Sequence, residues 1–134
     1  SSAASDVYKR QGYIGAKIIL NRKLRPTAIF STSNLISLGA MKAILEEGLK
    51  IPDDISMISF DDQPYSDYLV APMTTVAQRI SEIGQIAFTL LQSQIKQKSN
   101  QQFEGIVLPT KLIIRKSVKK LDESGYALHL NIIK

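Results

Sequence analysis

The chain has 134 residues, is 44% hydrophobic and carries a net charge of +5, a size and composition that suit one ordinary globular domain or part of one. It contains no cysteine, which excludes disulfides, thiol nucleophiles and cysteine-ligated metals, and no apolar run approaches the roughly 20 residues that span a bilayer. Residues 1–26 hold six basic residues and one acidic, 27–110 five basic and nine acidic, and 111–134 six basic and two acidic; the basic charge sits at the two ends and forms no stripe or motif of a nucleic-acid-binding face.

Residues 1–11 have no periodicity. Asp6-Val7-Tyr8-Lys9-Arg10-Gln11 is what one reading frame of a common DNA-sequencing adaptor would encode, so residues 1–11 are read as a non-native or disordered leader and set aside. From Gly12 to Asn21, Tyr13, Ala16, Ile19 and Leu20 fall at helical spacing and predict a short helix. Arg22 to Pro26 is a basic link, and Thr27 to Ser31 is a β-branched, aromatic-containing run that predicts a buried strand.

Ser31-Thr32-Ser33-Asn34 supplies four candidate N-caps for a following helix that places Leu38, Met41 and Leu45 on one face and stops at Gly48. Ile55 to Phe60 is the next strand. Strand, helix and strand within roughly thirty residues make a βαβ unit, hence a parallel pair with a right-handed crossover. Asp61 and Asp62 stand at the C-terminal end of the second strand, where open parallel α/β sheets bind ligands. A small-molecule sensing site is therefore the first functional expectation.

Asp61 to Met73 is a long loop, rather apolar for a solvated one because of Tyr65, Tyr68 and Leu69. Thr74-Thr75-Val76 is short and extended. Ile80, Ile83, Gly84, Ala87, Leu91 and Ile95 form a helical stripe over 80–97. A polar link over 96–102 precedes two extended runs, Gly105–Leu108 and Lys111–Ile114, around Pro109. Residues 119–134 read as a tail without clear pattern; it holds His129, the sole histidine. There is no nucleophile–histidine pairing, glycine-rich phosphate loop or metal-ligand cluster, so no enzyme, catalytic residue, cofactor or metal is expected.

Six segments in order resemble one family: Pro26-Thr27-Ala28-Ile29-Phe30; Leu38-Gly39-Ala40; Gly48-Leu49-Lys50-Ile51-Pro52-Asp53-Asp54-Ile55-Ser56; Phe60-Asp61-Asp62; Pro72-Met73-Thr74-Thr75-Val76-Ala77-Gln78; and Leu108-Pro109-Thr110-Lys111-Leu112 with Arg115-Lys116-Ser117. Together they look like the C-terminal part of a LacI/GalR-family transcriptional regulator, over residues 12–118. The resemblance implies an α/β, parallel-sheet lobe of the periplasmic-binding-protein-like type I fold, present as an incomplete fragment. It implies that residues 79–104 cross to an N-terminal lobe, which would leave the 80–95 stripe short of packing partners and the isolated fragment marginally stable.

The same resemblance implies a sugar-like small-molecule effector held by Asp61, Ser33 and Gln78. It places Asp62 toward a structural neighbour and Tyr13 in the core. It puts Leu38, Tyr65, Tyr68 and Leu69 at a homodimer interface, and operator DNA on an N-terminal domain outside this chain. Ser33-Asn34 departs from the Asn-Asp of many relatives, which leaves the identity of the effector open. Each position also has a plainer reading: capping of a turn or helix for Asp61 and Ser33, a surface glutamine for Gln78, packing of the long loop for the tyrosines. A cytoplasmic location and no membrane partner are expected. The alternative is the sugar-binding protein of a transporter with the same fold, which would be exported and free of a DNA-binding domain.

Overall fold

The computed structural model describes residues 2–96, 105–120 and 131–133. In chain order it contains α1 (Ser2–Leu20), β1 (Ala28–Ser31), α2 (Asn34–Glu46), β2 (Ser56–Phe60), a 3₁₀ turn (Pro64–Asp67), β3 (Thr74–Ala77), α3 (Ile80–Lys96), β4 (Lys111–Ile113) and β5 (Asn131–Ile133). Residues up to Ala77, with those from Leu112 onward, make one compact unit; Gln78–Lys111 makes a second.

The first unit is built on a sheet in the order β4-β3-β2-β1-β5. β1 runs parallel to β2 and to β5, and β2 parallel to β3. The register aligns Ile29 with Met57, and Ser31 with Ser59 and Thr75. Side chains alternate faces along a strand, so Ile29 and Met57 share one face with that row of hydroxyls. Both are buried in a core with Ala16, Ile19 and Leu20 of α1 and Ile36, Ala40, Met41, Ala43 and Ile44 of α2. The opposite face carries Phe30, Ile58, Phe60 and Val76, each only partly buried.

α2 forms where the sequence predicts it. Ser33 is its N-cap, with Oγ accepting from Ile36 N–H at 3.3 Å, which satisfies one of the donors a helix start leaves open. Gly48, with φ of 73°, takes the left-handed conformation that ends a helix at little cost to glycine.

α1 differs from the expectation. It begins at Ser2 rather than near Gly12, so residues 2–11 of the stretch set aside as a leader are helical. Periodicity finds helices through their apolar face, whereas residues 3–11 are mostly exposed and extend the helix on propensity, with Ala3, Ala4, Lys9, Arg10 and Gln11 among good helix formers. Where α1 crosses α2 the backbones touch. A Cβ on Gly12 would lie 2.1 Å from the Ile36 carbonyl oxygen, and one on Gly39 would lie 1.9 Å from that of Lys9. Only glycine permits that approach.

Of the two extended runs around Pro109, one enters the sheet. Gly105–Leu108 forms no strand, whereas Lys111–Ile113 does; Pro109 between them lacks the N–H a ladder requires. The tail, which shows no clear pattern in sequence, contributes β5 at the edge beside β1, a pairing that depends on a distant partner strand. His129 lies outside the described residues. The second unit consists chiefly of α3, whose described residues include none that are buried.

Candidate functional site

The C-terminal ends of β1, β2 and β3 lie side by side in the first unit. Ser33 and Asp61 stand two residues beyond the paired Ser31 and Ser59, so the parallel register carries both to the same end of the sheet. Beneath them Ser31, Ser59 and Thr75 form a row of buried hydroxyls. Ser59 Oγ lies 2.7 Å from Ser37 Oγ of α2, which lies 2.9 Å from the Ser33 carbonyl oxygen. Ser31 Oγ is buried without a hydrogen-bond partner among the described residues.

Asp61 is half-buried and holds a left-handed backbone, with φ of 68°. It is the only described non-glycine residue with positive φ. Aspartate tolerates this conformation better than most residues, yet it remains costly. Its N–H donates to the Val76 carbonyl at 3.0 Å, so the turn is pinned to the end of β3. A carboxylate at this position has the chemistry to accept hydrogen bonds from hydroxyl or N–H groups.

Asp62 pairs with Arg115. The guanidinium donates from Nη1 to Asp62 Oδ1 at 2.8 Å and from Nη2 to Oδ2 at 3.2 Å. Nη1 also donates to the Met73 carbonyl at 2.8 Å, and Nε to Asp67 Oδ1 at 2.5 Å. Thr75 Oγ1 donates to Asp62 Oδ1 at 2.9 Å. The Arg115 guanidinium holds the Asp62 carboxyl below the usual carboxylate range, helped by Thr75 and opposed by partial burial; Asp62 in turn raises Arg115. A bidentate arginine–carboxylate pair of this kind is both strong and directional.

The segment bearing Arg115 is stitched along the sheet. Arg115 N–H donates to Thr74 Oγ1 at 2.9 Å, Ser117 Oγ to the Met57 carbonyl at 2.6 Å, and Thr74 N–H to Ser117 Oγ at 2.8 Å. The sequence marks Arg115-Lys116-Ser117 as a motif without assigning it a task. No local signal could, because Asp62 lies 53 positions away.

The remaining expected residues are dispersed. Gln78 is exposed and begins the second unit. Leu38 lies on α2 and, with Lys9, Arg10, Tyr13, Gly39 and Lys42, lines a hollow of about 340 Å³ between α1 and α2. Tyr65 and Tyr68 are exposed on the β2–β3 loop, whereas Leu69 packs against the core. Tyr13 also packs against the core; its hydroxyl donates to Glu46 Oε2 at 2.6 Å, and the ammonium groups of Lys17 and Lys42 lie 5.6 and 5.8 Å from its ring centre. Among the described residues no group of His, Asp and Glu could hold a metal ion, and no helix is long and apolar enough to cross a membrane.

Known proteins resemble the chain across most of its length. The profile of the periplasmic binding protein-like domain matches residues 2–118. The ribose operon repressor of Haemophilus influenzae is 36% identical over 110 residues, covering 82% of this chain and 33% of that protein. The HTH-type transcriptional repressor PurR of Histophilus somni is 44% identical over 105 residues, covering 78% of this chain and 31% of that protein. The chain thus spans about a third of the length of the curated relatives it matches. Among solved structures, a LacI family transcriptional regulator from Enterococcus faecalis with bound ribose superposes with a TM-score of 0.76 at 35% identity, over 85% of this chain and 42% of that one.

Proposed function

Because the chain belongs to the periplasmic binding protein-like domain family, in the line of the LacI family transcriptional regulators, we propose that it is the effector-sensing portion of a DNA-binding regulator. The effector is a sugar or a similar small metabolite. Asp61 accepts hydrogen bonds from its hydroxyl or ring N–H groups, and Ser33 adds a hydroxyl from the neighbouring strand end. Gln78, at the crossover after β3, is a third contact that rests on the family resemblance alone. Effector binding biases a two-state element and so changes operator affinity, a coupling of distinct sites. Operator DNA is read by an N-terminal domain outside this chain.

The observation that supports this reading most directly is Asp61 in a left-handed turn at the C-terminal end of a parallel strand. Non-glycine residues held in costly conformations cluster at ligand sites, and that end of an open parallel sheet is where ligands bind. The proposal extends to a homodimer that uses Leu38, Tyr65, Tyr68 and Leu69, to a cytoplasmic location and to action without catalysis. The matched proteins named as repressors favour a regulator over an exported transport protein.

Asp61→Ala in the full-length protein tests the reading. Effector response should vanish while operator affinity without effector stays within about twofold. Ribose, bound in the solved relative, is the first ligand to try. An unaltered response in the variant would remove Asp61 from the site.

A further inference from the structure

We propose that Arg115 is a positioning residue for the effector site: by clamping Asp62 it holds the preceding Asp61 in the left-handed turn that presents its carboxylate. The inference rests on the reading of Asp61 as the effector contact and assigns a second residue, far away in sequence, to the same task.

Consecutive carboxylates follow the end of β2, and the first of them is in the left-handed region. Asp61 has φ of 68° and its N–H is fixed to the Val76 carbonyl. A left-handed aspartate persists only where its surroundings over-determine it. On one side the β3 backbone supplies that constraint. On the other side it comes from Asp62, whose two oxygens are taken by two guanidinium nitrogens and by Thr75 Oγ1. The arginine is itself immobilised. Its side chain is 12% exposed, its Nη1 also donates to the Met73 carbonyl, its Nε to Asp67, and its backbone N–H to Thr74 Oγ1. These contacts converge on the segment between Asp61 and the start of β3.

Released from Arg115, Asp62 would lose its bidentate partner and the reason to point toward Thr75. The Asp61–Asp62 link would then relax toward extended backbone, which swings the Asp61 carboxylate off its present direction. The planar fork matters as well as the charge, since a lysine ammonium cannot bind both oxygens in the same geometry. Arg115 lies just beyond the point where the chain re-enters the first unit at Leu112, so the residue that sets Asp61 belongs to the returning segment and not to the strand that bears Asp61.

The experiment uses Arg115→Lys and Asp62→Asn in the full chain, each retaining the side chain's approximate size. The first readout needs no ligand: the Asp61 amide–Hα coupling and carbonyl shift, measured by NMR, report whether its backbone is left-handed. Both variants should lose that signature while the rest of the spectrum stays dispersed. The second readout is affinity for D-ribose, D-glucose and a purine base by calorimetry. Whichever probe binds the unaltered protein should bind each variant about tenfold more weakly, the lower end of the loss seen when an outer partner of a metal ligand is removed. The double variant should be no worse than either single one, because both act on one link.

An unchanged Asp61 signature in both folded variants overturns the inference, as does unchanged probe affinity in variants that have lost the signature. Asp61→Ala separates this from the underlying reading. If that variant binds the probe normally, Asp61 is not the contact, and the role of Arg115 in presenting it falls with it. If it loses binding while Arg115→Lys keeps both affinity and signature, only the role of Arg115 falls.

Discussion

The carbonyl oxygen of Lys9 on α1 occupies the space into which a side chain on Gly39 of α2 would project: an added Cβ would stand 1.9 Å from that oxygen and 2.8 Å from the Tyr13 nitrogen. Gly12 meets α2 in the same way at the Ile36 carbonyl. Two glycines, one on each helix, therefore set how closely α1 approaches the layer that covers the sheet.

Gly39→Ala and Gly12→Ala should each destabilise the chain despite alanine's better helix propensity. The obstructing atoms are backbone, so a helix and not a rotamer must move, which places the cost toward the upper end of the roughly 1–3 kcal/mol typical of overpacking. Urea denaturation measures it. A midpoint equal to that of the unaltered chain would mean that α1 does not lie against α2 at this distance.

Substitutions at Asp61 should separate stability from sensing. Glycine adopts the left-handed turn freely, whereas a β-branched residue is strained there. Asp61→Gly should be at least as stable as the parent, and Asp61→Val less stable than Asp61→Gly by about 1–2 kcal/mol. Neither should respond to effector. Equal thermal midpoints for glycine and valine would show that the turn is not populated in solution.

The Asp62–Arg115 pair should shape the acid limb of stability. Asp62 is held below its ordinary value of 3.8, first by the Arg115 guanidinium. Above about pH 4 the carboxylate is charged in both folded and unfolded chains, and its contribution is complete. As pH falls below that, the unfolded chain takes up the proton first, so the contribution declines and is gone once pH passes below the folded value. Asp62→Asn should cost about 2 kcal/mol at pH 7 and flatten the loss of stability below pH 4. A parallel acid limb in the variant would contradict the pair's role.

α3 presents Ile80, Phe88, Leu91 and Ile95 with 55–72% of their surfaces exposed. An apolar patch of that kind promotes association. The chain on its own should self-associate at micromolar concentration, and Phe88→Gln with Leu91→Gln and Ile95→Gln should shift it toward monomer in sedimentation velocity. Unchanged sedimentation would locate the association elsewhere.

Local chemistry made much of this protein legible in the sequence. The run from Ala28 to Ser31, the N-cap Ser33, the stop at Gly48 and the strand ending at Phe60 each announce themselves through neighbours a few residues away. Their order alone implies a parallel βαβ unit, with Asp61 at the C-terminal end of its second strand. What lay beyond reach depends on contacts that no local window holds. The extension of α1 back to Ser2, on mostly exposed residues, gives no apolar stripe to read. β5 is a strand only because β1 has an edge to offer. The guanidinium that pairs with Asp62 comes from an arginine 53 residues away. Periodicity reports which residues prefer burial or a cap; which distant partner completes a charge or a backbone edge is settled only when the chain closes on itself in three dimensions.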